Sequence, residues 1–445
     1  MKTPINEFIK KYSLSEAVRL HMPGHKGVSK TGVEIMDITE IDGADELFHP
    51  SGIIKKSQDN ASKIFGANTF YSVEGSSLSI RAMVLLASKF ALENGKKPCI
   101  LAGRNAHKSF LSAISFCDAE VEWLFPENGF NYLSFSVSES ALESRLVELK
   151  DKVTAVYLTS PDYLGNLLDI GALSKVCKKH GVLLMVDNAH GAYLKFLDKS
   201  IHPIDLGADM CADSAHKTLS ALTGAGYLHI NKKAPEFLKE NARECMEVFA
   251  STSPSYLILN SLDLLNLELE GDYKKRLKGA VLGVNELKKK LANLGLAVLN
   301  GEPLKLTLDL AKIGCFGDEV AKMLKKQGVV VEFFDKRYIV MMFSADSSNN
   351  DFDRTFIALQ KIKIKKPIEQ EKIELKPIRK LSPRQALLSS TEMVKVDDAK
   401  GKIVASFSLS CPPAVAIAVP GEIIDDGVIK VLKENEIDTI KVIKE

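Results

Sequence analysis

The chain carries no strong charge of either sign. Its 445 residues sum to a formal net charge of +2 at pH 7, so no global field draws it to nucleic acid or to an anionic membrane. The one concentrated basic stretch, "KIKIKKP" at 361–367, is followed at once by Glu369, Glu371 and Glu374 and reads as a solvated linker. Cysteine pairing signals are also missing. The seven cysteines are odd in number and no two form a C-x-x-C clip. That argues against a zinc ribbon or a secreted disulfide scaffold, and the expected location is the reducing cytoplasm. The first twenty residues hold no long apolar segment, and no apolar run approaches a bilayer span. Neither a signal peptide nor a membrane anchor is expected. There is no internal repeat, and no P-loop, H-E-x-x-H or G-x-S-x-G motif. His21 and His25 in "HMPGH" have a metal-like spacing, but Pro-Gly between them denies a shared helix face, so no metal is expected.

What is present is a chain long enough for two or three domains. Residues 5–20 predict a short amphipathic helix. From about 60 to 230, short apolar runs alternate with helical patterns. "PCILAG" (98–103), "TAVYLTS" (154–160), "VLLMVDNAHG" (182–191), "ADMCADS" (208–214) and "AGYLHI" (225–230) read as strands. "SSLSIRAMVLLASKFALEN" (76–94), opening on serines suited to capping, and "ALSKVCKKHG" (172–181), closed by glycine, read as helices. Such alternation predicts an α/β fold with a parallel sheet covered on both faces. In these sheets ligands bind beyond the carboxyl ends of the strands. The expected division is an N-terminal arm at 1–30, a large domain at 31–270, a small α+β domain at 271–362, and a linker with a C-terminal domain at 363–445.

The polar residues at the strand ends form the chemical pattern. One end gives "VDNAHG", with Asp187 and His190; another gives "DSAHKT", with Ser214, His216 and Lys217. Asp187 and Lys217 are about one βαβ unit apart, so both can lie at one sheet edge. A lysine and a carboxylate so placed suit pyridoxal 5'-phosphate: the amine forms a Schiff base with the aldehyde, and the aspartate keeps the ring nitrogen protonated. Gly75, Ser76 and Ser77, where the long helix begins, offer backbone N–H groups, hydroxyls and a helix dipole to the phosphate. Ser214 and His216 add donors, and His107 in "RNAHKSF" follows a strand where its ring can lie flat on the cofactor. Each piece alone has an ordinary reading as a cap, turn or loop residue. Their common position at strand–helix junctions carries the argument.

Taken together, "LHMPGHKG", "DITEIDGADELFHPSG", "RNAHKSF", "TSPDYLGNLLDI", "VDNAHGAYLKF", "DSAHKTLSALTGAG", "STSPSYLILNSLD" and "CPPAVAIAVPGE" span residues 20–422. In this order they resemble the Orn/Lys/Arg decarboxylase family. The resemblance implies a PLP-dependent, aspartate-aminotransferase-like fold: a mostly parallel sheet in a large domain, a smaller α+β domain and a C-terminal segment. It implies a homodimer with sites at the interface, in the short form without a wing domain. It implies that Lys217 carries the Schiff base, Asp187 pairs with the ring nitrogen, and His190 lies beside the cofactor. His107 would stack on the ring, with Ser76, Ser77, Ser214 and His216 near the phosphate. Thr252 and Ser253 would reach towards the neighbouring subunit's cofactor.

Three places depart from the family's usual pattern. Glu74 precedes Gly75 where asparagine is usual, and is expected to point away or to meet Arg104 or Arg81. Phe48 stands in a block that usually reads "HHP", and Cys411 and Ala414 in one that usually reads "YPPG". The expected reaction is decarboxylation of arginine, lysine or ornithine to the amine and CO2, with Lys217 or His216 returning a proton to Cα. Asp45 and Glu422 are candidates to receive the basic side chain, and Cys411 to line its site. The alternatives are another reaction of the same cofactor, as in an aminotransferase or aldolase, or a member that has lost turnover and binds or regulates.

Overall fold

The computed structural model describes residues 1–126, 131–369, 375, 377–407 and 414–444. Its centre is a seven-stranded sheet. The strands are β1 (Asn68–Ser72), β2 (Cys99–Gly103), β3 (Glu120–Leu124), β4 (Ala155–Thr159), β5 (Leu183–Asp187), β6 (Met210–Asp213) and β7 (Gly226–Ile230). Their spatial order is β1-β7-β6-β5-β4-β2-β3. From β6 across to β3 every pairing is parallel. β7 pairs antiparallel with both β6 and β1. The 214–225 connection turns at the strand end instead of crossing the sheet, so β7 must run back. β2, β4, β5 and β6 are buried almost throughout, as continuous apolar runs covered on both faces should be. β1 and β3 were not expected as strands. β3 carries two glutamates and lies at the sheet edge, where polar residues are tolerated.

Helices α1 (Pro4–Ser13), α2 (Ile53–Phe65), α3 (Gly75–Glu93) and α4 (Lys108–Phe116) precede or cover the sheet. α1 buries Ile5 and Ile9 and stops at Ser13, short of the expected residue 20. Beyond it Leu14, Val18 and Leu20 are exposed, so further turns would bury nothing. α3 is 19 residues long and apolar enough by composition to cross a membrane, which corrects the expectation that no run approaches that length. It is a core helix: Leu78, Ala82, Met83, Val84 and Leu86 are fully buried. Its first residue is Gly75 and its N-cap Glu74, whose side chain makes no capping bond. Ser76 and Ser77 therefore lie inside the first turn, not at the cap, and their hydroxyls are not spent on capping.

A second, three-stranded antiparallel sheet has the order β8-β10-β9, from β8 (Lys305–Asp309), β9 (Phe333–Phe334) and β10 (Tyr338–Met342). The long helix Tyr273–Asn293 leads into it. β11 (Thr391–Lys395) and β12 (Thr439–Ile443) form a third, two-stranded sheet with its own apolar cluster around Val404, Val428, Leu432 and Ile440. Within the span of that cluster, residues 414 and 415 return to the large domain at the start of α4: His107 bridges Val415, and Lys108 N–H bonds Ala414 O at 2.9 Å. Ala414 has φ of 54°, a left-handed conformation that costs an L-residue roughly 1–2 kcal/mol.

Candidate active site

The carboxyl ends of β5 and β6 lie side by side and set the site. β5 ends on Asp187, and the turn after it carries Asn188, Ala189, His190 and Gly191. A side chain at position 191 would place its Cβ 2.0 Å from Asn188 Oδ1 and 2.7 Å from Pro161, so the turn closes only with glycine. β6 ends on Asp213, and Ser214 leads into the single helical turn Ala215–Thr218, which presents His216 and Lys217. Lys217 is exposed, yet its Nζ lies 3.1 Å from Nε2 of buried His190.

The start of α3 approaches the same point. Gly75 takes φ of 64°, in the region that favours glycine, and its N–H bonds Gly224 O at 2.6 Å. Ser214 Oγ donates to Ser76 Oγ at 2.8 Å, and Ser109 Oγ donates to Ser77 Oγ at 2.9 Å. The four serines thus gather hydroxyls from three segments at a helix N-terminus, a setting that favours an anion. His107 is the N-cap of α4: its Nδ1 accepts from Ser109 N–H at 3.2 Å. Burial, with Lys217, Lys108 and Arg81 nearby, lowers the ring to about 3, so it is neutral. His216 is also pushed down by burial, with Lys217 adding to the effect. Its Nδ1 lies 2.8 Å from Ala225 O; the proton sits there, because a carbonyl only accepts, and Nε2 keeps the lone pair.

Asp187 is 3% exposed. It accepts from Tyr157 Oη at 3.1 Å and from Ala189 N–H at 3.1 Å. Burial raises its carboxyl, Lys217 pulls it back, and Asp213 pushes it up further. A cation against this carboxylate would lower it again.

The structure brings together Lys217, His190, Asp187, Ser76, Ser77, Ser214, His216, Gly75 and His107. Other predicted residues take different positions. Asp45 Oδ1 and Oδ2 accept backbone N–H groups of Ser51, Gly52, Ile54 and Lys55 at 2.8–3.2 Å, so its carboxylate closes the start of α2. Glu422 pairs with Arg104 at 2.6 Å, both buried, and accepts Val419 N–H. Each carboxylate is committed to a structural partner. Glu74 meets neither Arg104 nor Arg81: it points outward and accepts Ser251 N–H at 2.8 Å, while Arg81 Nε lies 3.3 Å from Ser112 Oγ. The Glu74–Ser251 bond anchors the loop holding Thr252 and Ser253, both exposed. Phe48 is buried in the main core. Cys411 lies outside the described residues. His21 and His25 turn to different partners, Tyr12 and Asp37.

Sequence reading missed Tyr157, which holds Asp187, and Lys305, which touches the other nitrogen of His190 at 3.2 Å. The available signal was a lysine opening an apolar strand in "LKLTLDL", three residues after Glu302. Among the described residues, His202, Cys211 and Asp213 also lie close enough to hold a metal. Their donors already engage one another around the buried Asp213 carboxylate. A separate cleft of 920 Å³, lined by Tyr132, Ser134, Asp335 and Arg337 among others, contains none of the strand-end residues.

Comparison with known proteins gives the family and the fold. Residues 3–305 match the Orn/Lys/Arg decarboxylase major domain, and residues 367–436 match the C-terminal domain of the same family. The arginine decarboxylase of Bacillus subtilis is 28% identical over 467 residues, covering 98% of this chain and 94% of that one. Among solved structures, lysine decarboxylase A of Pseudomonas aeruginosa superposes with a TM-score of 0.80 at 17% identity, covering 99% of this chain and 80% of that one. The constitutive lysine decarboxylase of E. coli gives 0.78 at 16% identity, covering 100% and 82%; at these identities the likeness speaks to the fold. On the extent of the two domain matches, the chain belongs to the Orn/Lys/Arg decarboxylase family.

Proposed function

We propose that the protein decarboxylates a basic amino acid (arginine, lysine or ornithine) to the corresponding amine and CO2, with pyridoxal 5'-phosphate held through Lys217. The observation that carries this reading is the meeting of Lys217, His190, Asp187 and the serine cradle at one edge of the sheet. The residues present fit the cofactor. The serine hydroxyls and the α3 N-terminus suit its phosphate, the neutral His107 ring suits a stacked face, and Asp187, raised by burial, suits a ring nitrogen that carries a proton. When bound, the cofactor supplies an aldehyde for the Lys217 amine and a ring that takes up the electron pair released as CO2 leaves.

The chain's own residues do the rest. Asp187 holds the ring-nitrogen proton from a site where Tyr157 Oη and Ala189 N–H fix its orientation. His190 and Asp187 give the site a buried wall beside the exposed Lys217, and a water-poor wall favours loss of charge at the carboxylate. Lys217 Nζ is the group that returns a proton to Cα. His216, neutral with its N–H committed to Ala225 O, has only a lone pair at Nε2 and serves as an acceptor. For the substrate's far end, the commitments of Asp45 and Glu422 leave a second subunit as a source of acidic groups. A homodimer fits the exposed Leu14, Val18, Leu20 and Met22 of the arm and the exposed Thr252 and Ser253. The decisive test is to incubate the purified enzyme with each of the three amino acids and measure CO2 and amine. If all three stay unreacted while the protein binds the cofactor, the reading fails.

A further inference from the structure

Lys305 opens β8 in the second sheet, yet its amine reaches the large-sheet site. The residue is 2% exposed. Its Nζ lies 3.1 Å from Asp162 O, 3.2 Å from a Glu302 carboxylate oxygen and 3.2 Å from His190 Nδ1. An ammonium has three N–H donors and no lone pair; here two hydrogen-bond partners, Asp162 O and His190 Nδ1, and the ion-paired Glu302 carboxylate surround it. The 301–305 loop that delivers it is fixed to the large domain: Glu302 N–H bonds Gly165 O at 2.7 Å, Leu304 N–H bonds Tyr193 Oη at 3.2 Å, and Tyr193 Oη donates to Glu302.

His190 sits between two lysines, with Lys305 at Nδ1 and Lys217 at Nε2. Burial, reinforced by Lys217 and Lys305, holds the ring far below its usual range, so the imidazole is neutral. A neutral imidazole has one N–H and one lone pair. Lys305, paired with Glu302, can only donate, so Nδ1 must accept. We propose that Lys305 is a positioning residue that locks His190 in the Nε2–H tautomer, aiming one hydrogen at the nitrogen of Lys217. Once the exposed Lys217 ammonium has released a proton to solvent, its Nζ accepts from His190, and that bond holds the neutral amine, with its lone pair, as the nucleophile. The same N–H stays beside that nitrogen whatever it later bonds to. Its purpose rests on Lys217 being the cofactor anchor; the tautomer itself does not.

The test reads the tautomer directly in the cofactor-free full chain. Histidine labelled with 15N in the imidazole is incorporated, and His190 is assigned among the nine histidines by its disappearance in His190→Gln. The expected result at pH 8 is a protonated Nε2 and an unprotonated Nδ1. Lys305→Gln keeps a donor at that position and preserves the pattern. Lys305→Met removes it and lets the proton redistribute to Nδ1. With the cofactor loaded, Lys305→Met loses about 10²-fold in kcat with KM within threefold, and Lys305→Gln recovers most of it. A proton on Nδ1 or a doubly protonated ring in the wild type overturns the proposal, as does an unchanged Nε2–H in Lys305→Met. If Lys305→Met does not fold, the wild-type spectrum still decides. Absence of cofactor binding would sink the functional reading while leaving the tautomer result standing.

Discussion

Two aspartates end neighbouring strands and are equally buried, but they are held oppositely. Asp213, at the end of β6, is met by His202 Nε2 at 2.9 Å, His229 Nε2 at 3.2 Å and Asn188 Nδ2 at 2.7 Å. Burial pushes its carboxyl up, but the two histidines outweigh burial and hold it well below the usual carboxylate range. Asp187, at the end of β5, has a phenol and one amide, and burial wins. A buried carboxylate whose partners are complete is an architectural part; one left raised suits a cationic ligand. Asn188 joins the two, because it follows Asp187 and donates to Asp213. The complete carboxylate therefore fixes the backbone that aims the other.

The comparison can be broken most severely at the residue both strand ends serve. Lys217→Ala should abolish CO2 release and the visible absorbance of the loaded enzyme while leaving thermal stability unchanged, since the side chain is exposed. Retained absorbance would remove Lys217 from its assigned role. Next come the aspartates themselves, in opposite directions. Asp187→Asn should lower kcat by about 10²–10³ with stability equal or higher, because it removes a penalised charge. Asp213→Asn should cost about 3–5 kcal/mol in urea unfolding, and the folded fraction should lose less activity than Asp187→Asn, because the change loosens the Asn188 backbone that aims Asp187 but leaves that carboxylate in place. Equal stability losses in the two variants would end the distinction.

The pH dependence sharpens the same contrast. The stability supplied by Asp213, whose carboxyl is depressed, is present above pH about 3.9 and lost as pH falls through its lower folded value. The penalty on raised Asp187 runs the other way and is relieved as pH falls. His107 and His190 are held neutral in the fold, so below about pH 6.5 the unfolded chain binds more protons and stability drops. The urea midpoint of the cofactor-free protein should therefore fall from pH 7 to pH 5, and His107→Gln should flatten that slope by about one proton. The smallest effect lies outside the pair. Ala414→Gly should raise stability by about 1 kcal/mol by relieving the left-handed backbone; a loss would show that the methyl group there packs usefully.

Much of the large domain was legible because its strands are short apolar runs bounded by polar residues. Asp187, Lys217 and the serines stood out because they sit where such runs end. The edge strands β1 and β3 were not legible, since edge positions tolerate the polar residues that periodicity reads as loop. Ser76 and Ser77 read from sequence as phosphate donors that also suit a cap; the helix starts at Gly75 with Glu74 as its N-cap, which leaves both serines inside the first turn. Asp45 and Glu422 were chosen as acids inside family-like blocks, and a one-dimensional string cannot show that four amides and an arginine already claim them.

The sequence by itself determined the fold class, the order of the strand-end residues and the chemistry they suit, because pattern and residue type are local. Only the tertiary structure decided which partner each polar group meets. Lys305 reaches His190 across 115 residues of chain, and Arg104 reaches Glu422 across 318. Such pairings depend on how three separate sheets pack, and no periodicity records them. The physical reason is that burial makes a polar group seek a partner, while the partner's identity is fixed only once distant segments are brought within hydrogen-bond distance.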